Sequence, residues 1–441
     1  MEHSRAKQIL RLAIPLILQQ LCLQLQLWID RAMLGHLDSA FFSAIGNAGT
    51  PYHMIVSAIT AVCCGTAILV AQSVGAGDLD SVRRLSGASL LGNSLFSLAA
   101  FVLFFFFCEQ IFLLMGVQQP ILEYSTAYMQ VLAFSLLLLG PSATATAFLQ
   151  GLGLTEIIMA TGIAGNLLNI FLDWVLIFGK LGFPALSIRG AALATVLANF
   201  LSTGLILLFL LTSRKISVKP DLRKSLAVQL GTYRQVLKVG IPSGLEYALW
   251  NIGNLILVSF LNHIDTISAG IYTLVFSIET IPMLIYMGFA NAGLTLVGQQ
   301  TGARDMHQAR RTGLLCLYFS LAVCIVVGVI FHVIPRQLLE IFTDDSHILT
   351  ISAPFLRFVS WILFPKAVNN VIGLCIRGIG DTRWMLYTQI FGTFFMIFAG
   401  YCLIFPLGFG LKGIFITLLC DESIRCILNL FHFLTFRRGI R

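Results

Sequence analysis

The sequence predicts an all-α integral membrane protein: twelve transmembrane helices in two six-helix lobes, related by a pseudo-two-fold axis along the membrane normal. Three observations predict it. Of the 441 residues, 57% are hydrophobic and 11% charged, whereas a soluble chain is about 25% charged. The apolar runs are too long for a soluble core and lack the alternation of barrel strands, so they read as helices. The second half also repeats the first at a single offset.

Hydropathy and helix breakers place the elements in order. Span 1 (8–34) follows the basic start MEHSRAKQILRLAIPLILQQ, which lacks a small-residue cleavage site and runs directly into a full span. It reads as a helix rather than a signal peptide. Span 2 (51–75) ends in the glycine turn Gly75-Ala76-Gly77. Span 3 (86–108) ends in FVLFFFFCEQIF, expected to face lipid rather than form an aromatic cage. Span 4 (124–150) leads into Gly151-Leu152-Gly153, and spans 5 and 6 follow at 157–179 and 190–213. The basic segment SRKISVKPDLRK (213–224) joins the halves. Spans 7 to 12 follow at 234–261, 268–299, 312–334, 348–377, 384–405 and 411–436. The expected division is an N-lobe of 1–213, a cytoplasmic linker of 214–232 and a C-lobe of 233–441.

The repeat is specific. GTAILVAQSVGAGDLDSVRR (65–84) aligns with AGLTLVGQQTGARDMHQARR (292–311) at an offset of 227, with eight identities in twenty. The same offset pairs Ile14-Pro15 with Ile241-Pro242, His36-Leu37-Asp38 with His263-Ile264-Asp265, and Gly151-Leu152-Gly153 with Gly378-Ile379-Gly380. Six spans per half is an even number, so the halves share one orientation, with a substrate path expected between them.

With the N-terminus inside, twenty Lys and Arg fall in cytoplasmic segments and five at the outer side. This positive-inside bias places both termini in the cytoplasm. The net charge of +8 is accounted for by these loops, and no nucleic-acid partner is expected. The ten cysteines lie in apolar helical segments without zinc-ligand spacing, and read as small buried hydrophobes with reduced thiols. There is no G-x-x-x-x-G-K-[ST] loop, no G-x-G-x-x-G after a strand, no H-E-x-x-H and no nucleophile elbow. No enzyme activity and no cofactor are expected. Such a chain runs on an ion gradient or passively.

Intramembrane ionisable residues concentrate the search. In NLLNIFLDWVLIFG, Asn166, Asn169 and Asp173 share one helix face. An aspartate at mid-membrane costs roughly 2.5–3.5 kcal/mol on insertion scales. Asp30 lies near the outer end of span 1. The bland readings are an interfacial acid paired with Arg31 and a polar cluster holding helices together. The functional reading is a cation site: two carboxylates and an amide oxygen are hard ligands suited to Na⁺, and a carboxylate pair in a dry pocket can also carry a proton. The repeat puts Leu257 and Gly400 at the equivalent positions, so only the first lobe holds these acids. In the second half, Glu246, Glu279 (before Pro282), Lys366, Asn369 and Asn370 are candidates, with Arg357 nearby. Lys366 reads as the one clear mid-span cation and needs a partner, which Glu246 or Glu279 could supply.

These residues resemble the multidrug and toxic compound extrusion (MATE) transporters over essentially the whole chain. The carriers are Ile14-Pro15, Asp30-x-x-x-x-Gly35-x-x-Asp38, the Gln72 to Asp78 loop with its echo at Gln299 to Asp305, and Gln150-Gly151-x-Gly153-x-Thr155 echoed at Arg377 to Thr382. The resemblance implies a V-shaped pair of lobes that exports amphipathic, often cationic, small molecules in exchange for H⁺ or Na⁺. For the DinF-like branch it implies a cation site at Asp30, Asn169, Asp173 and Thr195, with the Ala191 carbonyl beside it. Na⁺ could occupy that set. Lys366 and Asn251 stand where the NorM-like branch has C-lobe acids, so a Na⁺ site of that kind is not expected. Glu246 resembles a helix 7 glutamate of eukaryotic relatives. Asn166, Glu246, Asn251, Glu279, Lys366 and Asn369 are therefore the substrate-cavity candidates. A bacterial inner-membrane monomer in contact with lipid is expected. The alternative in the same superfamily is a lipid-linked oligosaccharide or lipid flippase, with a cavity lined by Arg and Lys and often fourteen spans. A non-transporting scaffold or receptor would not need acids inside the membrane.

Overall fold

The computed structural model describes residues 2–35, 39–214, 216, 218–221, 226–265 and 267–436. Its elements are α1 (Glu2–Gly35), α2 (Ser39–Gly75), α3 (Leu79–Leu114), α4 (Ile121–Leu152), α5 (Thr155–Phe178), α6 (Ser187–Thr212), α7 (Leu226–Asn262), α8 (Ser268–Gly302), α9 (Met306–Val333), α10 (Pro335–Glu340), α11 (Ser346–Ile379), α12 (Thr382–Ile404) and α13 (Leu411–Thr435). All twelve expected spans are helices. They run past the apolar stretches at most ends because the backbone ladder continues through polar turns. The short α10 is additional. Helix α7 begins inside the stretch expected to be linker. Among the described residues, eleven helices are long and apolar enough to cross a membrane. Outside that set are the short α10 and α13, which carries Lys412, Asp421, Glu422 and Arg425. His36-Leu37-Asp38, Lys215, Arg223, Lys224, the Arg31 side chain and the terminal arginines lie outside the described residues.

The repeat is visible in the turns. Asp78 caps α3 by accepting from Ser81 N–H at 2.9 Å, and Asp305 caps α9 by accepting from Gln308 N–H at 2.9 Å. Gly153 and Gly380 end α4 and α11 at φ of 80° and 101°. Gly77 has φ of 71°, and at the equivalent position Arg304 has φ of 61°. An L-residue there is strained by about 1–2 kcal/mol. Arg304→Gly is therefore expected to stabilise the fold by about 0.5–1 kcal/mol, after the extra freedom that Gly gives the unfolded chain. Thermal unfolding in detergent measures it; no gain would show that the Arg304 side chain offsets its strain.

Two compact units form, Leu18–Gly244 and Met1–Ile17 with Leu245–Arg441. The divisions lie within α1 and α7 rather than in the linker, which differs from the lobe limits read from the sequence. Each division falls three residues past a proline, Pro15 or Pro242, where the missing hydrogen bond favours a bend. In one unit Gly288 of α8 faces Ile17, with room for no side chain: a Cβ would lie 2.2 Å from Ile17 Cγ1. In the other, Gly240 of α7 meets the Val62 carbonyl of α2 in the same way, at 2.5 Å. Both contacts pair the first helix of one repeat with the second helix of the other.

In the Leu18–Gly244 unit, the segment before α7 is pinned to α3. Asp221 N–H donates to Arg83 O at 3.1 Å, and Gln229 Nε2 donates to Asp221 O at 2.8 Å. Phe106 and Phe107 are exposed on α3, as a lipid-facing run requires. In the other unit the core is built from α7 to α13, around Leu257, Tyr286, Leu363 and Ile414. All ten cysteines are free thiols; five are buried, but Cys420 is exposed on α13, unlike the buried hydrophobe expected.

At one turn of this second unit, Asp381 accepts from His432 Nε2 at 3.0 Å, and the His432 ring stacks on Trp384 with centroids 4.0 Å apart. The His432 hydrogen bond holds the Asp381 carboxyl below the usual carboxylate range. Its contribution to stability is therefore complete above the ordinary carboxylate pKa and lost as pH falls through the lower folded value. Asp381→Asn keeps the cap on Trp384 N–H. It is expected to flatten the acid limb of a plot of thermal midpoint against pH; an unchanged limb would place the titrating group elsewhere.

Candidate functional site

The Leu18–Gly244 unit gathers α1, α5 and α6 around two acids. Helix α5 carries a polar face within an apolar stretch: Asn166, Asn169 and Asp173 are each within one turn of the next. Asn169 and Asp173 are almost wholly buried, each 1% exposed. Helices α5 and α6 approach closely through glycines. A Cβ on Gly190 would lie 2.6 Å from the Leu176 carbonyl, and one on Gly165 would lie 2.9 Å from Ser202 Cβ. That approach brings Thr195 to Asn169. Gly190→Ala should force the helices apart and destabilise by about 1–3 kcal/mol, the range for overpacking, read as a lower thermal midpoint. An unchanged midpoint would mean that α6 shifts freely.

The carboxyls of Asp30 and Asp173 face each other across α1 and α5, close enough to interact. Two carboxyls so placed can hold one proton between them. Gln26, one turn before Asp30, donates to Asp30 Oδ2 at 3.3 Å and also to Asn169 Oδ1. The Asn169 amide donates to Thr195 Oγ1 at 3.4 Å in one orientation and to Asp173 Oδ2 at 3.3 Å in the other. Thr195 Oγ1 gives its own proton to the Ala191 carbonyl at 3.1 Å, so its lone pairs stay turned to the site. Asp173 Oδ1 is buried without a hydrogen-bond partner. Oxygen donors from two carboxylates, an amide and a hydroxyl, with one carboxylate oxygen unserved, fit a proton or a hard monovalent cation. The five residues expected from the sequence thus lie together. In one orientation of its amide, Asn166 donates to Gln26 Oε1 at 2.8 Å, which links it to this group. Gln26 is the residue that sequence reasoning missed; its signal was the four-residue spacing to Asp30.

The other unit holds a second buried polar network. Lys366 of α11 donates to Glu279 of α8 at 2.6 Å, both nearly buried, with the ammonium 5.1 Å over the Phe276 ring. Its partner is therefore Glu279. Glu246 of α7 instead pairs with Arg377 at 2.7 Å. Asn369 donates to Glu422 Oε2 at 2.9 Å and accepts from Asn429 at 2.5 Å. Arg425 donates to Asp421 Oδ2 from two nitrogens, at 2.6 and 3.0 Å, lies 3.1 Å from Glu422 Oε1, and reaches Gln389 Oε1 at 2.8 Å. Glu279, Lys366, Glu422, Phe276 and Tyr272 line a small cavity. Asn251 does not join this network: it is exposed and bonds the Tyr247 carbonyl of its own helix at 2.9 Å. Arg425 corrects the expectation of Lys366 as the one clear mid-span cation. Its run, CDESIRC, was legible but fell inside a span accepted on hydropathy.

The family model MatE matches this chain twice, over residues 15–175 and 242–402. The chain belongs to the MatE family. The two matches run from 15 to 242 at their starts and from 175 to 402 at their ends, the same 227-residue offset as the internal repeat. Among relatives, the "Uncharacterized transporter YisQ" of Bacillus subtilis is 26% identical, covering 90% of this chain and 88% of that protein. The "Probable multidrug resistance protein NorM" of Thermotoga maritima is also 26% identical, covering 97% and 92%. A solved structure described as the outward-facing conformation of a multidrug resistance MATE family transporter superposes with a TM-score of 0.90, at 22% identity, over 98% of this chain and 95% of that one. This likeness establishes the MatE fold, and with the family places the chain among multi-pass membrane proteins.

Proposed function

We propose that this MatE protein is a secondary active antiporter that exports amphipathic organic compounds, cations among them, in exchange for H⁺ or Na⁺ by alternating access of its two lobes. The observation that carries the reading is the pairing of half-buried Asp30 with buried Asp173, whose Oδ1 is unserved. A site that holds one ion between two carboxyls in a low-dielectric interior changes its packing when that ion leaves. The relatives support the direction: the Thermotoga maritima protein and the outward-facing structure are both described by multidrug resistance. The all-oxygen site matches the DinF-like pattern and contains only residues of the Leu18–Gly244 unit. In the bacterial inner membrane, with both termini cytoplasmic, the ion would enter from outside, displace substrate outward and leave inward. No enzymatic step is involved, and a monomer suffices.

Lys366 does not argue against cationic substrates, because Glu279 neutralises it at 2.6 Å. The same pairing weakens the flippase alternative, since the buried cations of this unit face acids rather than an anionic headgroup. The test is efflux of a fluorescent organic cation from proteoliposomes under an imposed pH gradient, then a Na⁺ gradient. Efflux driven by one gradient supports the antiporter and names the ion. No efflux under either gradient, with transport of an anionic or lipid-like probe instead, would overturn it.

A further inference from the structure

The acids buried in the α7, α8, α11 and α13 network outnumber its bases. Lys366 meets Glu279 and Arg377 meets Glu246, but Arg425 faces both Asp421 and Glu422. However the pairs are drawn, four carboxyls stand against three cations, and an uncompensated charge in a membrane interior is expensive. The two acids beside Arg425 differ in how they are served. Glu422 accepts from Asn369 on one oxygen and meets Arg425 on the other, as an ionised carboxylate should. Asp421 takes both of its bonds from Arg425 on Oδ2, while Oδ1 is buried with no partner.

Asp421 Oδ1 abuts the α12 backbone at Gly392, where a Cβ would lie 2.6 Å from it. The polar groups that face the cluster are Gln389 from α12, Lys366 and Asn369 from α11, Glu279 and the Tyr286 hydroxyl from α8 and Cys426 from α13 itself, with Glu246 of α7 acting on Arg425 electrostatically. Among the described residues, no group of three or more His, Cys, Asp or Glu side chains is arranged to hold a metal ion. A Na⁺ ion needs a shell of several oxygens; a proton needs only one, and Oδ1 is a buried carboxyl oxygen with no hydrogen-bond partner.

We propose that Asp421 is a second proton-binding site, carrying an exchangeable proton on Oδ1 that brings the α13 cluster to zero net charge. It lies in the unit that does not contain Asp30 and Asp173, and it does not depend on the antiporter reading. The site gives this unit its own response to pH.

The test is infrared difference spectroscopy of the full-length protein in lipid, titrated with pH in a D30N/D173N background that silences the first pair. A protonated carboxyl gives a carbonyl stretch that an ionised one does not. The background protein is expected to show one titrating carboxylic-acid band. D421N removes it. E422Q, which leaves one acid to one base, removes it too, and serves if D421N fails to fold. The K366M/E279L double variant, which removes one acid and one base together, retains it. Persistence of the band in D421N, its loss in K366M/E279L, or no titrating band in the background protein would overturn the proposal.

Discussion

Asp173→Asn is expected to abolish gradient-driven efflux while leaving the protein folded. The amide is nearly isosteric with the carboxyl and can still donate to Asp30, so the α1–α5 contact survives. It cannot take up a proton or offer a charged ligand to Na⁺, so ion binding no longer distinguishes the two conformations. A coupling free energy of about 1–3 kcal/mol corresponds to about 5–150-fold in affinity; with that coupling lost, the imposed gradient no longer drives efflux above the passive rate. Asp30→Asn should do the same, because the shared contact needs both groups. Proteoliposome efflux, with the thermal midpoint as a folding control, decides it. Coupled efflux at the normal rate in either variant would remove the ion site from this pair.

The largest stability effect is expected at Glu279. Replacing it with Gln leaves the buried Lys366 ammonium without its paired charge. Breaking one side of a buried ion pair typically costs about 3–5 kcal/mol. Removing both charges in K366M/E279L should restore most of that loss, since apolar groups of similar volume replace a buried pair at little cost. The thermal midpoints of the single and double variants measure it. A double variant as unstable as Glu279→Gln would show that the side chains, not the pair, carry the stability.

Much of this was legible in the sequence because helices and membranes impose short-range rules. Asn169 and Asp173 announce a common face by spacing alone, whereas Thr195 and Ala191 entered only through the resemblance to the family. The repeat fixed the turns as well, since Asp78, Asp305, Gly153 and Gly380 do the same local work at one offset. Gln26 was harder to see because glutamines recur through QQLCLQLQLW and only burial singles one out. The choice of Glu279 over Glu246 for Lys366 is a matter of which helices touch, which no spacing encodes. Arg425, Asp421 and Glu422 were missed because hydropathy averages over a span, and three charged residues among the apolar ones still leave the stretch apolar enough to read as a span. The division of the units within α1 and α7 also depends on contacts between residues far apart in sequence, such as Gly240 with Val62.

The central claim is that ion and substrate oppose each other through Asp30 and Asp173, and equilibrium binding tests it most directly. Affinity of a fluorescent organic cation for the purified protein should be measured across pH at fixed Na⁺, and across Na⁺ at fixed pH, in wild type and Asp173→Asn. By linkage, whichever ion drives export must weaken substrate binding as it is added, and the substrate must weaken its binding by the same factor. The account predicts a wild-type affinity that falls with one of the two ions and an Asp173→Asn affinity that responds to neither. A wild-type affinity independent of both, or an unchanged response in the variant, would contradict it.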